Sequence, residues 1–286
     1  MSVINARGLK KQYKDVHALD GFDLTVEPGQ IVGLIGPNGS GKTTAINSML
    51  GLNNLDGGEL EVLGKSPHSQ RAELMQEVAY IADTGILPHW MRVADLLDYV
   101  ENVHPRFSRE VALSHLSKTE INQRKKVSVL SKGMHVQLHL ALILAIDAPL
   151  LVLDEPTLGL DILYRQQFYD GILNDFFNED RSILVTTHEV REIEHILTDV
   201  VFIHHGRARL TIAMDELPQR YAKLTTQAEA KLPAEPLVSR RSLNGIEHIF
   251  EGVDRDLLQK IGEVNTPNLA ELFVAIVGDK KVGDKK

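Results

Sequence analysis

The sequence predicts an α/β fold in which helices cover both faces of a mostly parallel sheet, and three observations predict it. Residues 31–35, 150–153, 183–187 and 200–203 are short apolar runs, the third ending in two threonines, the pattern of parallel strands buried on both faces. A glycine-rich stretch follows the first run and leads into the apolar helical spacing of residues 44–50. Runs near the N-terminus, one of them alternating, mark a second and smaller antiparallel sheet.

In chain order, Val3-Ile4 and residues 22–26 read as strands of that small sheet, with Asp20-Gly21 between them as the turn signal. Residues 59–63 alternate and join it. Residues 87–130 read as helical, through residues 93–100 and 111–116. After Met214 the character changes. Residues 228–236 are a proline-containing link, and residues 246–250 and 268–277 beyond it show apolar periodicity. This predicts a main domain over 1–214 and a C-terminal accessory region over 215–286 that ends in a solvated Lys-rich tail, residues 280–286.

The loop after the first buried strand is Gly36-Pro37-Asn38-Gly39-Ser40-Gly41-Lys42-Thr43-Thr44 and fits G-x-x-x-x-G-K-[ST]. Glycines at 36, 39 and 41 let backbone amides approach phosphate oxygens without a Cβ in the way. The amides converge on the anion, and the helix N-terminus adds its positive end. Lys42 reaches the β- and γ-phosphates of a nucleotide, while the Thr43 hydroxyl holds Mg²⁺.

A second site lies at the end of residues 150–153, where Asp154-Glu155-Pro156 follows the apolar run. Parallel strands deliver functional groups at their C-terminal edge. Asp154 is the carboxylate on the Mg²⁺ side, complementing Thr43. Glu155 is placed to deprotonate an attacking water.

These motifs, in this order, resemble the nucleotide-binding subunit of an ATP-binding cassette (ABC) transporter, over about residues 1 to 214. Tyr13 precedes the phosphate loop where the family stacks an aromatic ring on adenine; by itself it reads equally as a surface aromatic. Leu130-Ser131-Lys132-Gly133-Met134 occupies the signature position, normally Leu-Ser-Gly-Gly-Gln. Ser131 also suits a helix cap, and the two roles use one geometry. Thr157-Leu-Gly-Leu-Asp161 matches the loop after the acidic strand. His188 stands at the switch-histidine position, and Asp83 stands where the family has glutamine, beside the metal.

The resemblance implies a P-loop NTPase core with an antiparallel β subdomain, a helical subdomain over about 87–130 and the C-terminal region. It implies ATP and Mg²⁺ as cofactors, contacts to ATP from Tyr13, residues 36–44, Ser131, Gly133 and Asp161, and metal contacts from Thr43, Asp83 and Asp154. Catalysis falls to Glu155 and His188. The partners it implies are an integral membrane permease and a second nucleotide-binding domain in a homodimer or pseudo-dimer. Trp90 and Met91 are candidate contacts for the permease, with core packing the alternative for Trp90. Similarity to short bacterial exporter ATPases suggests export.

Lys132 and Met134 depart from the signature, and Asp83 puts a carboxylate where an amide is usual. Those departures support a rival, a nucleotide switch with little hydrolysis. A second rival is a cytosolic ABC protein that does not transport. A net charge of -8 over 286 residues speaks against nucleic acid as a partner. No cysteine occurs, which excludes disulfides and thiolate metal sites. No signal-peptide pattern opens the chain, and its most apolar stretch, residues 138–153, is interrupted by His139, Asp147 and Pro149. The expected location is therefore cytoplasmic, on the inner face of the membrane through the permease.

Overall fold

The structure is a computed structural model that describes residues 1–82, 87–157, 160–178, 180–227 and 230–278. Strands β1 (Ile4–Tyr13) and β2 (Val16–Val26) form an antiparallel hairpin that turns at Lys14, whose φ is 51°. The expected turn at Asp20-Gly21 is corrected. Gly21, with φ 79°, lies inside β2 where the register passes from Leu9↔Phe22 to Lys10↔Asp20. It is a bulge, which exploits the same positive φ that a turn requires.

After β3 (Ile31–Ile35) and α1 (Lys42–Met49), β4 (Gly57–Val62) returns to pair with β1, so the small sheet has the order β2-β1-β4. Next come α2 (Arg71–Leu74), β5 (Val78–Ile81), α3 (Val93–Val103), α4 (Arg109–Ser117) and α5 (Lys132–Leu144). The acidic strand is β6 (Leu150–Asp154). Helix α6 (Ile162–Gly171) runs on into a π-helical turn, Ile172–Phe176. The main domain closes with β7 (Ser182–Thr187), α7 (Val190–Ile193), β8 (Asp199–His204) and β9 (Arg207–Ala213).

The central sheet has the order β5-β6-β7-β3-β8-β9 and is parallel except for β9. The four apolar runs are neighbours in its middle, and their side chains alternate between two cores. Ile31, Leu151, Ile183 and Phe202 face one core with Phe168 and Tyr169 of α6. Val32, Leu34, Val152 and Leu184 face the other, with Ala45, Ile46 and Met49 of α1. Each fully buried aliphatic side chain contributes about 1.5–3 kcal/mol, which is why these strands read as continuous apolar runs.

Helices α3, α4 and α5 share a third core built on Val93, Leu97, Leu116 and Leu138. Trp90 is 71% exposed, so core packing is ruled out for it, whereas Met91 packs against this core.

The C-terminal part contains α8 (Leu217–Arg220), β10 (Tyr221–Thr226), β11 (Val238–Ser242), β12 (Gly245–Glu251), α9 (Arg255–Gln259), β13 (Glu263–Asn265) and α10 (Leu269–Val277). Its sheet, of order β11-β12-β10-β13, begins before the proline-containing link rather than after it. The pairing explains this: β10 runs along β12 from Tyr221↔Glu251 to Thr226↔Ile246, so strands on either side of the link in sequence belong to one sheet. Helix α10 packs back on the main core, where Leu269 and Leu272 are buried and Phe273 meets Phe202 edge-on at 5.1 Å. Residues 279–286, including the Lys-rich tail, lie outside the described residues. Among the described residues no helix is long and apolar enough to cross a membrane.

Candidate functional site

Parallel pairing brings the C-terminal ends of β3, β6 and β7 to one edge, with Ile35 opposite Thr187 and Asp154 opposite Thr186. Gly36, Glu155 and His188 therefore leave the sheet side by side. Residues 36–41 wrap from β3 into α1, with Gly39 at φ 79° and Gly41 at φ 110°. A Cβ on Gly36 would lie 2.3 Å from the Ile203 carbonyl, and one on Gly41 would lie 2.4 Å from that of Ala18. The loop is thus pressed against β2 and β8, and the amide of Gly206 donates to Ser40 O at 2.9 Å. Ser40 Oγ is buried and has no hydrogen-bond partner among the described residues. Pro37, Asn38, Gly39 and Thr43 face solvent, and Thr44 is half-buried in the first turn of α1.

Lys42 is buried, and its ammonium donates to Gly36 O at 2.7 Å. The same ammonium lies 3.3 Å from Glu155 Oε1. Glu155 Oε2 contacts His188 Nδ1 at 2.8 Å. Asp154 is buried at the strand end, and its Oδ1 accepts the Thr186 hydroxyl at 2.6 Å. Glu155 itself has φ 47°, a conformation that costs a non-glycine residue of order 1–3 kcal/mol. Its amide is held by the Thr186 carbonyl and hydroxyl, each at 3.2 Å.

The other expected site residues occupy separate places in this chain. Ser131 caps α5, its hydroxyl accepting the Met134 amide at 3.2 Å. Gly133 is buried in the first turn of that helix, beneath the ring of Tyr164. Asp161 caps α6 by accepting the Tyr164 amide at 3.2 Å. Ser131 and Asp161 are both exposed, and among the described residues no hydrogen bond joins either to the phosphate loop. Tyr13 ends β1 with its ring exposed and the Lys11 ammonium 5.3 Å from the ring centre. Asp83 lies outside the described residues.

Four residues not singled out from the sequence support this edge. Thr186 clamps Asp154 and the Glu155 amide. Tyr169 OH lies 3.2 Å from Thr157 Oγ1, and burial raises its pKa well above the usual phenol range. Arg165 and Glu192 form an ion pair between α6 and α7. The apolar run 183–187 ends in two threonines, which was the only sequence signal available for Thr186; the others lie within unremarkable helical spacing.

Asp154 and Thr43 offer the hard oxygen donors that suit Mg²⁺. Among the described residues no three His, Asp or Glu side chains converge as a metal cage. Mg²⁺ is ordinarily held through one or two protein oxygens, which these two residues could supply, together with phosphates and water.

Comparison with known proteins gives consistent matches. A family model described as "ABC transporter" matches residues 19–158. The chain is 29% identical to the ABC transporter ATP-binding protein YtrB of Bacillus subtilis (strain 168), over 98% of this chain and 99% of that protein. It is 33% identical to the Nod factor export ATP-binding protein I of Burkholderia lata, over 71% of this chain and 68% of that one. A solved ATP-binding subunit of an ABC transporter superposes with a TM-score of 0.66 at 23% identity, covering 75% of this chain and 91% of that structure.

Proposed function

The chain belongs to the ABC transporter family and is an ATP-hydrolysing subunit of it, and we propose that it drives a separate membrane permease by closing as a head-to-tail dimer over two ATP molecules. The observation that carries this proposal is the convergence of Lys42, Glu155 and His188 at the edge of the sheet. It joins an ammonium, a carboxylate and an imidazole in one contact chain, which supports assigning them to phosphate, water and the γ-phosphate end.

In this proposal residues 36–44 wrap the phosphates, with Lys42 turning from Gly36 O toward the β- and γ-oxygens. Thr43 and Asp154 would hold Mg²⁺, and Asp83 is assigned beside them. Mg²⁺, when bound with ATP, neutralises phosphate charge. Glu155 accepts a proton from the attacking water. His188, held at Nδ1 by Glu155, faces the γ-phosphate end. Tyr13 stacks on adenine.

Ser131, Gly133 and Asp161 are assigned to the partner's ATP. Both capping residues sit exposed at helix N-termini, where the positive end of a helix favours an anion. The permease docks on the helical subdomain, and exposed Trp90 is assigned to that contact. Export is the assigned direction, supported by the Nod factor export relatives. The subunit then works at the cytoplasmic face of the membrane. The test is ATP turnover by the purified chain, followed by capture of a multi-spanning partner from membranes in mild detergent. Absence of turnover at saturating ATP and Mg²⁺ would overturn the hydrolytic role.

A further inference from the structure

Helix α6 sends three side chains into three segments of the candidate site. Tyr164 closes on Gly133, where a Cβ would lie 2.4 Å from its ring. Arg165 donates its Nε–H to Leu160 O at 2.7 Å and pairs through Nη1 with Glu192. Tyr169 meets Thr157 at 3.2 Å. Gly133 follows Ser131, Thr157 follows Glu155, Leu160 precedes Asp161, and Glu192 lies on α7 just beyond His188.

The Arg165–Glu192 pair is mostly shielded, with side chains 19% and 21% exposed. Glu192 Oε2 is buried and has no hydrogen-bond partner among the described residues. Its carboxylate therefore depends on Arg165 for compensation, and removing the arginine leaves a buried charge unpaired. One guanidinium thus ties the turn before Asp161 to the helix after His188. Arginine suits this task because its planar fork donates in two directions at once.

We infer that Arg165 is a positioning residue: with Glu192 it locks the Asp161 turn, which faces a partner's ATP, to the His188 segment, which faces the chain's own. This rests on the function proposed above. It goes further in naming the residue pair that makes the two half-sites move as one.

The test is a double-mutant cycle on Arg165→Met and Glu192→Leu, read as kcat and KM for ATP and as amide hydrogen exchange. Misplacing reacting groups by about 1 Å costs on the order of 100-fold in rate. Arg165→Met should therefore lower kcat by about 10- to 100-fold, while KM changes by less than about threefold because no phosphate contact is lost. The double variant should be no slower than Arg165→Met within about twofold, since the two side chains form one contact. Arg165→Lys should recover part of the loss by restoring the charge beside Glu192.

Exchange should rise in Arg165→Met both at Leu160–Tyr164 and at His188–Ile193. If that variant does not fold, Glu192→Gln carries the same readouts with smaller changes, because it still accepts from Arg165. Unchanged kcat, losses that multiply in the double variant, or exchange that rises at only one segment would overturn the inference. A wild-type chain without turnover would instead sink the proposed hydrolysis, and the exchange data would still decide the coupling.

Discussion

Glu155 and His188 are joined at two points: Glu155 Oε2 contacts His188 Nδ1 at 2.8 Å and accepts the His188 backbone N–H at 3.3 Å. A carboxylate can only accept, so Nδ1 carries the proton, while Nε2 lies 3.8 Å from Glu189 Oε1. The other oxygen, Oε1, lies 3.3 Å from the Lys42 ammonium. One carboxylate therefore orients the imidazole and compensates the buried Lys42 ammonium at once. In the proposed site an arriving γ-phosphate would compete with Glu155 for Lys42, and binding would release Oε1 toward water.

Lys42→Ala is expected to weaken ATP binding by about 10- to 100-fold, since a hydrogen bond to a charged group contributes about 1.5–3 kcal/mol. The fold should persist, because the phosphate loop is also held by Gly206 and by its packing on Ala18. Titration calorimetry with ATP is the check, with circular dichroism confirming the fold. Wild-type affinity in the folded variant would remove Lys42 from the phosphate site.

Gly133→Ala sets two effects against each other. Alanine in place of glycine favours a helix by about 1 kcal/mol. The new methyl, however, would meet the Tyr164 ring at 2.4 to 2.8 Å, and overpacking of this kind costs about 1–3 kcal/mol. The clash should win, giving a lower melting temperature, and Gly133→Ala/Tyr164→Leu should recover it. A higher melting temperature for Gly133→Ala alone would show that Tyr164 moves aside freely.

The parallel sheet was legible because β3, β6, β7 and β8 are buried on both faces, which confines their polar residues to the strand ends and leaves the middles as apolar runs. Strands of mixed composition were not. The edge strand β9 reads Arg-Ala-Arg-Leu-Thr-Ile-Ala, with one face in water, and β10, inside the C-terminal sheet, reads Tyr-Ala-Lys-Leu-Thr-Thr, with a lysine paired to Glu271. Gly21 carried a true conformational signal, but a bulge and a turn demand the same φ. The phosphate loop and Asp154-Glu155 could be found because adjacent residues carry the chemistry. The Arg165–Glu192 and Thr157–Tyr169 contacts join residues 27 and 12 positions apart, and only the folded chain brings them together.

Acid should destabilise the fold through its histidines. Burial first, and then the nearby His135, depress the His139 pKa from 6.5 to about 4. Burial pushes His104, His135 and His248 the same way. For such groups the unfolded chain binds more protons, so stability is present above the unfolded pKa and is lost as pH falls toward the folded value. From pH 7 to pH 5 His139 alone should cost about 2 kcal/mol, at 1.36 kcal/mol per pKa unit. Urea unfolding at both pH values checks this, with His139→Leu expected to lose less stability between them. An equal loss in the variant would assign the acid sensitivity to other groups.

Glu155→Gln keeps the size of the side chain and its contact with His188 but removes the basic carboxylate. General-base catalysis is typically worth about 10²–10⁴-fold, so turnover should fall by that factor or more. Nucleotide binding should persist, because Lys42, Thr43 and Asp154 are untouched. The substitution also removes the anion facing Lys42 at 3.3 Å, which leaves the ammonium freer for phosphate and should tighten ATP slightly. With hydrolysis blocked, the head-to-tail dimer should accumulate, held by Ser131 and the N-terminus of α5 against the partner's γ-phosphate. Size-exclusion chromatography of Glu155→Gln with ATP and Mg²⁺ tests this, alongside Glu155→Gln/Ser131→Arg. Ser131 is exposed and its cap bond to Met134 is 3.2 Å long, so arginine there should fold yet block the approach of a second subunit. A dimer that forms only with Ser131 intact supports the composite site. Near wild-type hydrolysis by Glu155→Gln, with a monomer in every condition, would sink both the base assignment and the closure mechanism.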